Sequence, residues 1–178
     1  MSGETVDSKA TGREEPPRSG GAPAELTFRA VLPVTMVDYP GKLAYTVYTM
    51  GCNFRCPICH NRELALSLGD DLPEYSVDWV LGEIARKDGW VDGICVTGGE
   101  PLLCPGLSAA LERFKAAGLA VKLDTNGSFP EKLAAVLRDG LADCVAMDVK
   151  APLTAEDYPA LAGVAMDRWM GRLRSSIE

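Results

Sequence analysis

Between residues 42 and 150 the chain switches four times between short runs rich in β-branched residues and stretches with apolar residues at helical spacing. "KLAYTVYTM" (42–50), "GICVT" (93–97), "LAVKLDTNG" (119–127) and "DCVAMDVK" (143–150) read as strands, two of them with their exit loops. "SVDWVLGEIARKDG" (76–89) places Val77, Val80, Leu81 and Ile84 on one helical face, with Ser76 as the N-cap and Gly89 as the stop. "GLSAALERFKAAG" (106–118) repeats the spacing through Leu107, Ala110, Leu111 and Phe114, and "EKLAAVLRDG" (131–140) predicts a third helix. Trp169, Leu173 and Ile177, four apart, predict a fourth. The alternation predicts an α/β fold of about four βα units: a parallel sheet in a part-barrel, with right-handed crossovers. In such a fold chemistry gathers on loops at the strand C-termini. The unusual stretches all fall there: cysteines after the first strand, GGEP after the second, DTNG after the third and MDVK at the fourth.

Composition narrows the class. A chain of 178 residues with 47% hydrophobic content suits one globular domain. Residues 1–25 are rich in Gly, Pro, Ser and charge and predict a disordered tail ahead of a core over 26–178. The net charge of −7 comes with no basic stripe, which argues against nucleic-acid binding. No apolar stretch reaches the roughly 20 residues of a membrane span, and the N-terminus lacks the apolar core of a secretory signal. A cytoplasmic protein is expected, whose six cysteines are thiols or metal ligands rather than disulfides.

Three of those cysteines form the tight run "CNFRCPIC": Cys52, Cys56 and Cys59, spaced C-x-x-x-C-x-x-C. A structural zinc site takes four ligands, often as two separated C-x-x-C pairs. No fourth ligand lies close by, and His60 adjoins Cys59 too directly to share its metal without strain. Cys95 and Cys144 fall in predicted buried strands and read as small hydrophobes, and Cys104 reads as incidental. Iron–sulfur clusters are held by closely spaced thiolates. A four-iron cluster with three protein ligands keeps one iron open to a small molecule, as a catalytic site requires.

C-x-x-x-C-x-x-C after a first strand and G-G-E-P after a second resemble the radical S-adenosylmethionine superfamily. The resemblance implies that Cys52, Cys56 and Cys59 hold a 4Fe–4S cluster whose fourth iron is chelated by S-adenosylmethionine. It further implies that Gly98, Gly99 and Glu100 meet the amino group of S-adenosylmethionine and that Ile58 packs on its adenine, where relatives often carry an aromatic residue. "DTNG" and "MDVK" are similar to segments of the glycyl-radical-enzyme activating enzymes, which casts Asp124, Thr125, Asn126, Asp148 and Lys150 as contacts of its ribose and carboxylate. Acidic groups of the same two loops would sit at a monovalent cation site.

"MVDYPGKLAYTVYTMGCNFRC", followed by "CHN", looks like the activating proteins of anaerobic ribonucleoside-triphosphate reductase. The implied partners are that glycyl radical enzyme and a flavodoxin- or ferredoxin-like electron donor. Asp38 would face the incoming glycine loop, or else serve as a turn residue before Pro40. Two other readings stay open: a radical S-adenosylmethionine enzyme of the 7-carboxy-7-deazaguanine synthase type acting on a small molecule, and an inactive iron–sulfur binding module. The family core has six βα units where four are legible, so an exposed strand edge is expected.

Overall fold

The computed structural model describes residues 25–68 and 71–178. The expected N-terminal tail lies, but for Glu25, outside them. Four parallel strands form the frame: β3 (Ala44–Thr49), β5 (Gly93–Gly98), β6 (Ala120–Thr125) and β7 (Cys144–Met147). Three lie inside the stretches where β-branched composition predicts them, and β5 runs one residue past its predicted 93–97 into Gly98. The sheet order is β2-β3-β5-β6-β7, where β2 (Ala30–Thr35) pairs antiparallel with β3. That antiparallel strand is an addition to the all-parallel sheet expected from sequence. Its Pro33 has no N–H to give to a ladder, which suits an edge position. A two-stranded ribbon, β1 (Thr27–Phe28) with β4 (Tyr75–Ser76), forms a separate sheet and sends Phe28 into the main core.

Helices α2 (Val77–Ala85), α3 (Leu107–Ala116) and α4 (Pro130–Arg138) cover one face of the sheet. The Ser76 side chain accepts the Trp79 N–H at 3.1 Å, the expected N-cap. Val80, Leu111, Phe114 and Leu133 from these helices meet Tyr45, Val47, Ile94, Val96, Val121 and Leu123 in the main core. Because strand side chains alternate, the opposite face carries a row in register: Thr46, Cys95, Lys122 and Cys144.

A second, smaller core belongs to the C-terminal segment. Beyond β7 come α5 (Tyr158–Ala162) and α6 (Met170–Ile177), and Tyr158, Ala162, Met166, Trp169 and Leu173 close over Phe54 and Cys56 of the cysteine loop. The four-apart spacing finds Trp169 and Leu173 buried, but Ile177, at the end of α6, is exposed. Within the described residues β7 is hydrogen-bonded on one side only, by β6, so the expected strand edge is present.

Candidate active site

The loop between β3 and α1 (Arg62–Ala65) is set by its ends. Gly51 and Cys52 donate their N–H groups to Leu64 and Ala65 carbonyls at 2.8 and 3.1 Å, and Cys59 N–H returns to the Cys56 carbonyl at 3.2 Å. The Arg55 N–H reaches the Ala162 carbonyl at 2.8 Å, which seats α5 against the loop from outside. Cys52, Cys56 and Cys59 are all free thiols, and all three line one cavity of about 380 Å³.

The same cavity gathers Ile58, Gly98, Gly99, Asp124, Thr125, Asn126, Asp148 and Lys150. Residues from four strand ends, spread over almost a hundred positions of sequence, thus meet around one space. Glu100 does not line it. Its carboxylate is fully buried behind the wall, accepting Leu102 N–H at 3.0 Å, Thr125 Oγ1–H at 2.8 Å and Asn126 N–H at 2.7 Å. Glu100 therefore ties the GGEP loop to the DTNG loop. Burial pushes its carboxyl up to about 6, and the three hydrogen bonds hold it from rising further.

Gly98 and Gly99 are there because nothing larger fits. A Cβ on Gly98, which has φ +119°, would lie 2.4 Å from Thr49 backbone atoms, and one on Gly99 would lie 2.0 Å from the Gly51 carbonyl oxygen. This close approach lets Gly99 N–H bond the Thr49 carbonyl and Glu100 N–H the Gly51 carbonyl, joining the cysteine loop to the GGEP loop.

Asn126 reaches the sulfur itself. Its Nδ2 donates toward Cys52 Sγ at 3.7 Å and to Asn53 Oδ1 at 3.0 Å, and Phe54 N–H donates to Cys52 Sγ at 3.4 Å. Burial pushes the Cys52 and Cys56 thiols up; the Phe54 N–H offsets part of this at Cys52, and the Lys150 ammonium offsets part at Cys56. On Lys150 burial opposes the charge, but its hydrogen bond to Asp148 and the nearby Asp148, Cys56 and Cys59 hold it above the usual lysine range.

Five cavity residues were not singled out from the sequence: Phe54, Asn61, Ala65, Thr97 and Val149. Asn61 donates Nδ2–H to the Gly98 carbonyl at 3.3 Å, a role that its place in "CHN" could have signalled. His60 lines the cavity but is exposed. Asp38 is half-buried on the sheet's inner side and accepts Thr46 Oγ1–H at 2.8 Å. Cys104 stays out of the cavity, with its Sγ 3.7 Å from the Met50 carbonyl. Two expectations need correction. Cys95 is buried but sits in polar company, its Sγ 3.5 Å from Asp124 and 3.6 Å from Lys122 Nζ, because it falls on the inner face of β5 rather than the helix-covered one. Cys144 is only half-buried, because among the described residues β7 has no neighbouring strand on its far side.

The trio fits an iron–sulfur cluster on its own chemistry. Among the described residues no group of three or more His, Cys, Asp or Glu side chains converges on a single-ion site. The thiols instead surround a space, with N–H donors directed at one sulfur, the kind of contact that tunes cluster-bound thiolates.

Fold and site together define a radical S-adenosylmethionine protein: the Radical SAM superfamily profile matches residues 46–166, and the chain belongs to that superfamily. A Methanocaldococcus jannaschii protein bearing the name of a glycyl-radical enzyme activating enzyme is 33% identical over 121 residues, 67% of this chain and 48% of that protein. A 7-carboxy-7-deazaguanine synthase of Methanopyrus kandleri is 33% identical over 130 residues, 61% of this chain and 51% of its own. A pyruvate formate-lyase-activating enzyme of Staphylococcus epidermidis is 36% identical over 95 residues, 51% of this chain and 37% of its own. The chain spans about half the length of the first two relatives and less of the third. No helix among the described residues is long and apolar enough to cross a membrane.

Proposed function

We propose that this protein is a cytoplasmic activase that reductively cleaves S-adenosylmethionine and installs a glycyl radical on a partner enzyme, the anaerobic ribonucleoside-triphosphate reductase. The observation that carries this reading is the single cavity shared by the three thiols and the GGEP, DTNG and MDVK loops. The similarity to a protein named as a glycyl-radical enzyme activator supports the branch, and the "VDYPG" and "CHN" segments support the particular target.

Cys52, Cys56 and Cys59 would hold the 4Fe–4S cluster, which with S-adenosylmethionine supplies the one-electron reductive cleavage, fed by a flavodoxin- or ferredoxin-like donor. Gly98 and Gly99, without side chains, leave backbone open at the cavity wall for the methionyl end. Lys150 presents an ammonium there for a carboxylate, and Asn126 keeps Cys52 oriented. Ile58 is 69% exposed on the rim and offers an apolar surface for adenine.

The test is anaerobic reconstitution with iron and sulfide, dithionite reduction, and incubation with S-adenosylmethionine and the reductase. A glycyl radical signal on the reductase with 5′-deoxyadenosine in solution is the expected result. The similarity to a 7-carboxy-7-deazaguanine synthase favours a second reading, action on a small molecule of the kind that synthase handles. Turnover of that substrate without a glycyl radical would select it. Cluster assembly with no cleavage of S-adenosylmethionine would leave an inactive binding module.

A further inference from the structure

Lys122 is the one lysine in the row of inward-facing strand residues, flanked in register by Cys95 on β5 and Cys144 on β7. Its side chain is only 10% exposed, where an unpaired ammonium is costly. The ammonium is bonded to Asp124 Oδ1, and the other carboxylate oxygen, Oδ2, accepts the Cys95 thiol at 3.5 Å. Both oxygens of Asp124 are therefore engaged from below, at the floor of the cavity. The second acid of the cavity, Asp148, is likewise bonded through Oδ2 to Lys150. The Thr125 hydroxyl donates to Glu100 and accepts Gly127 N–H at 3.1 Å. The two acids and two lysines at this end of the cavity cancel in charge.

This arrangement does not fit the monovalent cation that the family resemblance implies. We propose that Lys122 is a positioning residue that acts as a built-in cation: its ammonium holds Asp124 against the cavity wall, in place of a bound sodium or potassium ion. Burial opposes the charge on Lys122, but its hydrogen bond to Asp124 and the nearby Cys95 and Asp124 keep it above the usual lysine range, so the ammonium is permanent at working pH. A tethered charge needs no ion from solution, and its position is fixed by the strand that carries it. The inference rests on the cavity reading above only where S-adenosylmethionine is concerned.

Two measurements separate the dependencies. Sodium-23 NMR line broadening on cluster-free protein needs no S-adenosylmethionine. The wild type is expected to show no broadening that D124N removes, whereas K122M gains such broadening and K122R does not. Equilibrium dialysis of S-adenosylmethionine on reconstituted protein, at constant ionic strength balanced with tetramethylammonium, reads the consequence. Wild-type and K122R affinities should change less than about twofold across a potassium titration, while K122M should lose and regain about tenfold. Sodium bound at Asp124 in the wild type, potassium-dependent wild-type affinity, or indifference of a folded K122M would each overturn the proposal; if K122M does not fold, the wild type and K122R decide. Absence of S-adenosylmethionine binding in the wild type would sink the functional reading instead, and the sodium experiment would still decide the lysine's role.

Discussion

Glu100 accepts the backbone N–H of Asn126 at 2.7 Å, from a side chain with no solvent exposure, 26 residues away in sequence. Through this bond the loop after β5 positions the loop after β6, and Asn126 in turn positions Cys52. A residue whose motif suggests a ligand contact thus holds the cavity wall together from behind.

Replacing Glu100 tests that role directly. Glu100→Ala leaves three buried donors, on Leu102, Thr125 and Asn126, without an acceptor, and should cost about 3–5 kcal/mol in urea unfolding. Its pH signature is specific. The carboxyl sits at about 6 in the fold against an ordinary 4.5, so between those values the folded state binds more protons than the unfolded one. Stability therefore falls as pH rises through that window, by on the order of 2 kcal/mol, and Glu100→Gln should flatten this part of the profile. An unchanged profile in the glutamine variant would contradict the assignment.

Gly163 carries the contact between α5 and the cysteine loop. It has φ +67°, and a Cβ there would stand 2.0 Å from the Arg55 carbonyl oxygen. Gly118 has φ +81° with open space around it, which makes it the matched control. Gly118→Ala should cost about 1 kcal/mol from backbone strain alone. Gly163→Ala should cost about 2 kcal/mol more and speed alkylation of Cys56 by iodoacetamide. Equal costs at the two glycines would show that the close approach is unimportant.

Trp169 joins the C-terminal segment to the site, with ring centroids 6.1 Å from Phe54 and 6.0 Å from Phe129. Trp169→Ala should destabilise by about 3–5 kcal/mol. The reconstituted variant should also lose iron faster to a chelator, because Phe54 and Cys56 share that small core. A variant that is destabilised but retains iron at the wild-type rate would separate the core from the site.

Ile58 offers a gain of function. It is exposed on the cavity rim, so Ile58→Phe should leave thermal unfolding unchanged. An aromatic ring against adenine adds about 0.5–1.5 kcal/mol, or roughly 2- to 12-fold tighter S-adenosylmethionine binding by equilibrium dialysis. Weaker binding would place the adenine elsewhere.

The parallel strands and their covering helices were legible because a buried face repeats locally, at two or 3.6 residues, and needs no knowledge of its partner. Val80, Leu111 and Phe114 announce their burial in this way, and the clustering of odd loops at strand ends announces the rim. Strand β2 was not legible: "AVLPVT" contains a proline, and only its pairing with β3 makes it an edge strand. Helix α5 was missed because it is five residues long and is held by a contact to a loop more than a hundred positions earlier. Ile177 kept the right spacing but lies where α6 has run past the core.

By itself the sequence determined the order of the four parallel strands and of α2, α3, α4 and α6, the trio of thiols, and the loops that stand beside them, since each rests on residue type and near-neighbour spacing. Tertiary structure alone decided what the charged side chains do. Glu100 reads as a ligand contact and becomes a buried tie; Lys122, not singled out from the sequence, becomes the counter-ion of Asp124. The reason is electrostatic. The free energy of a charge is set by its burial and by the partner within a few ångströms, and both are supplied by strands that meet only once the sheet has formed.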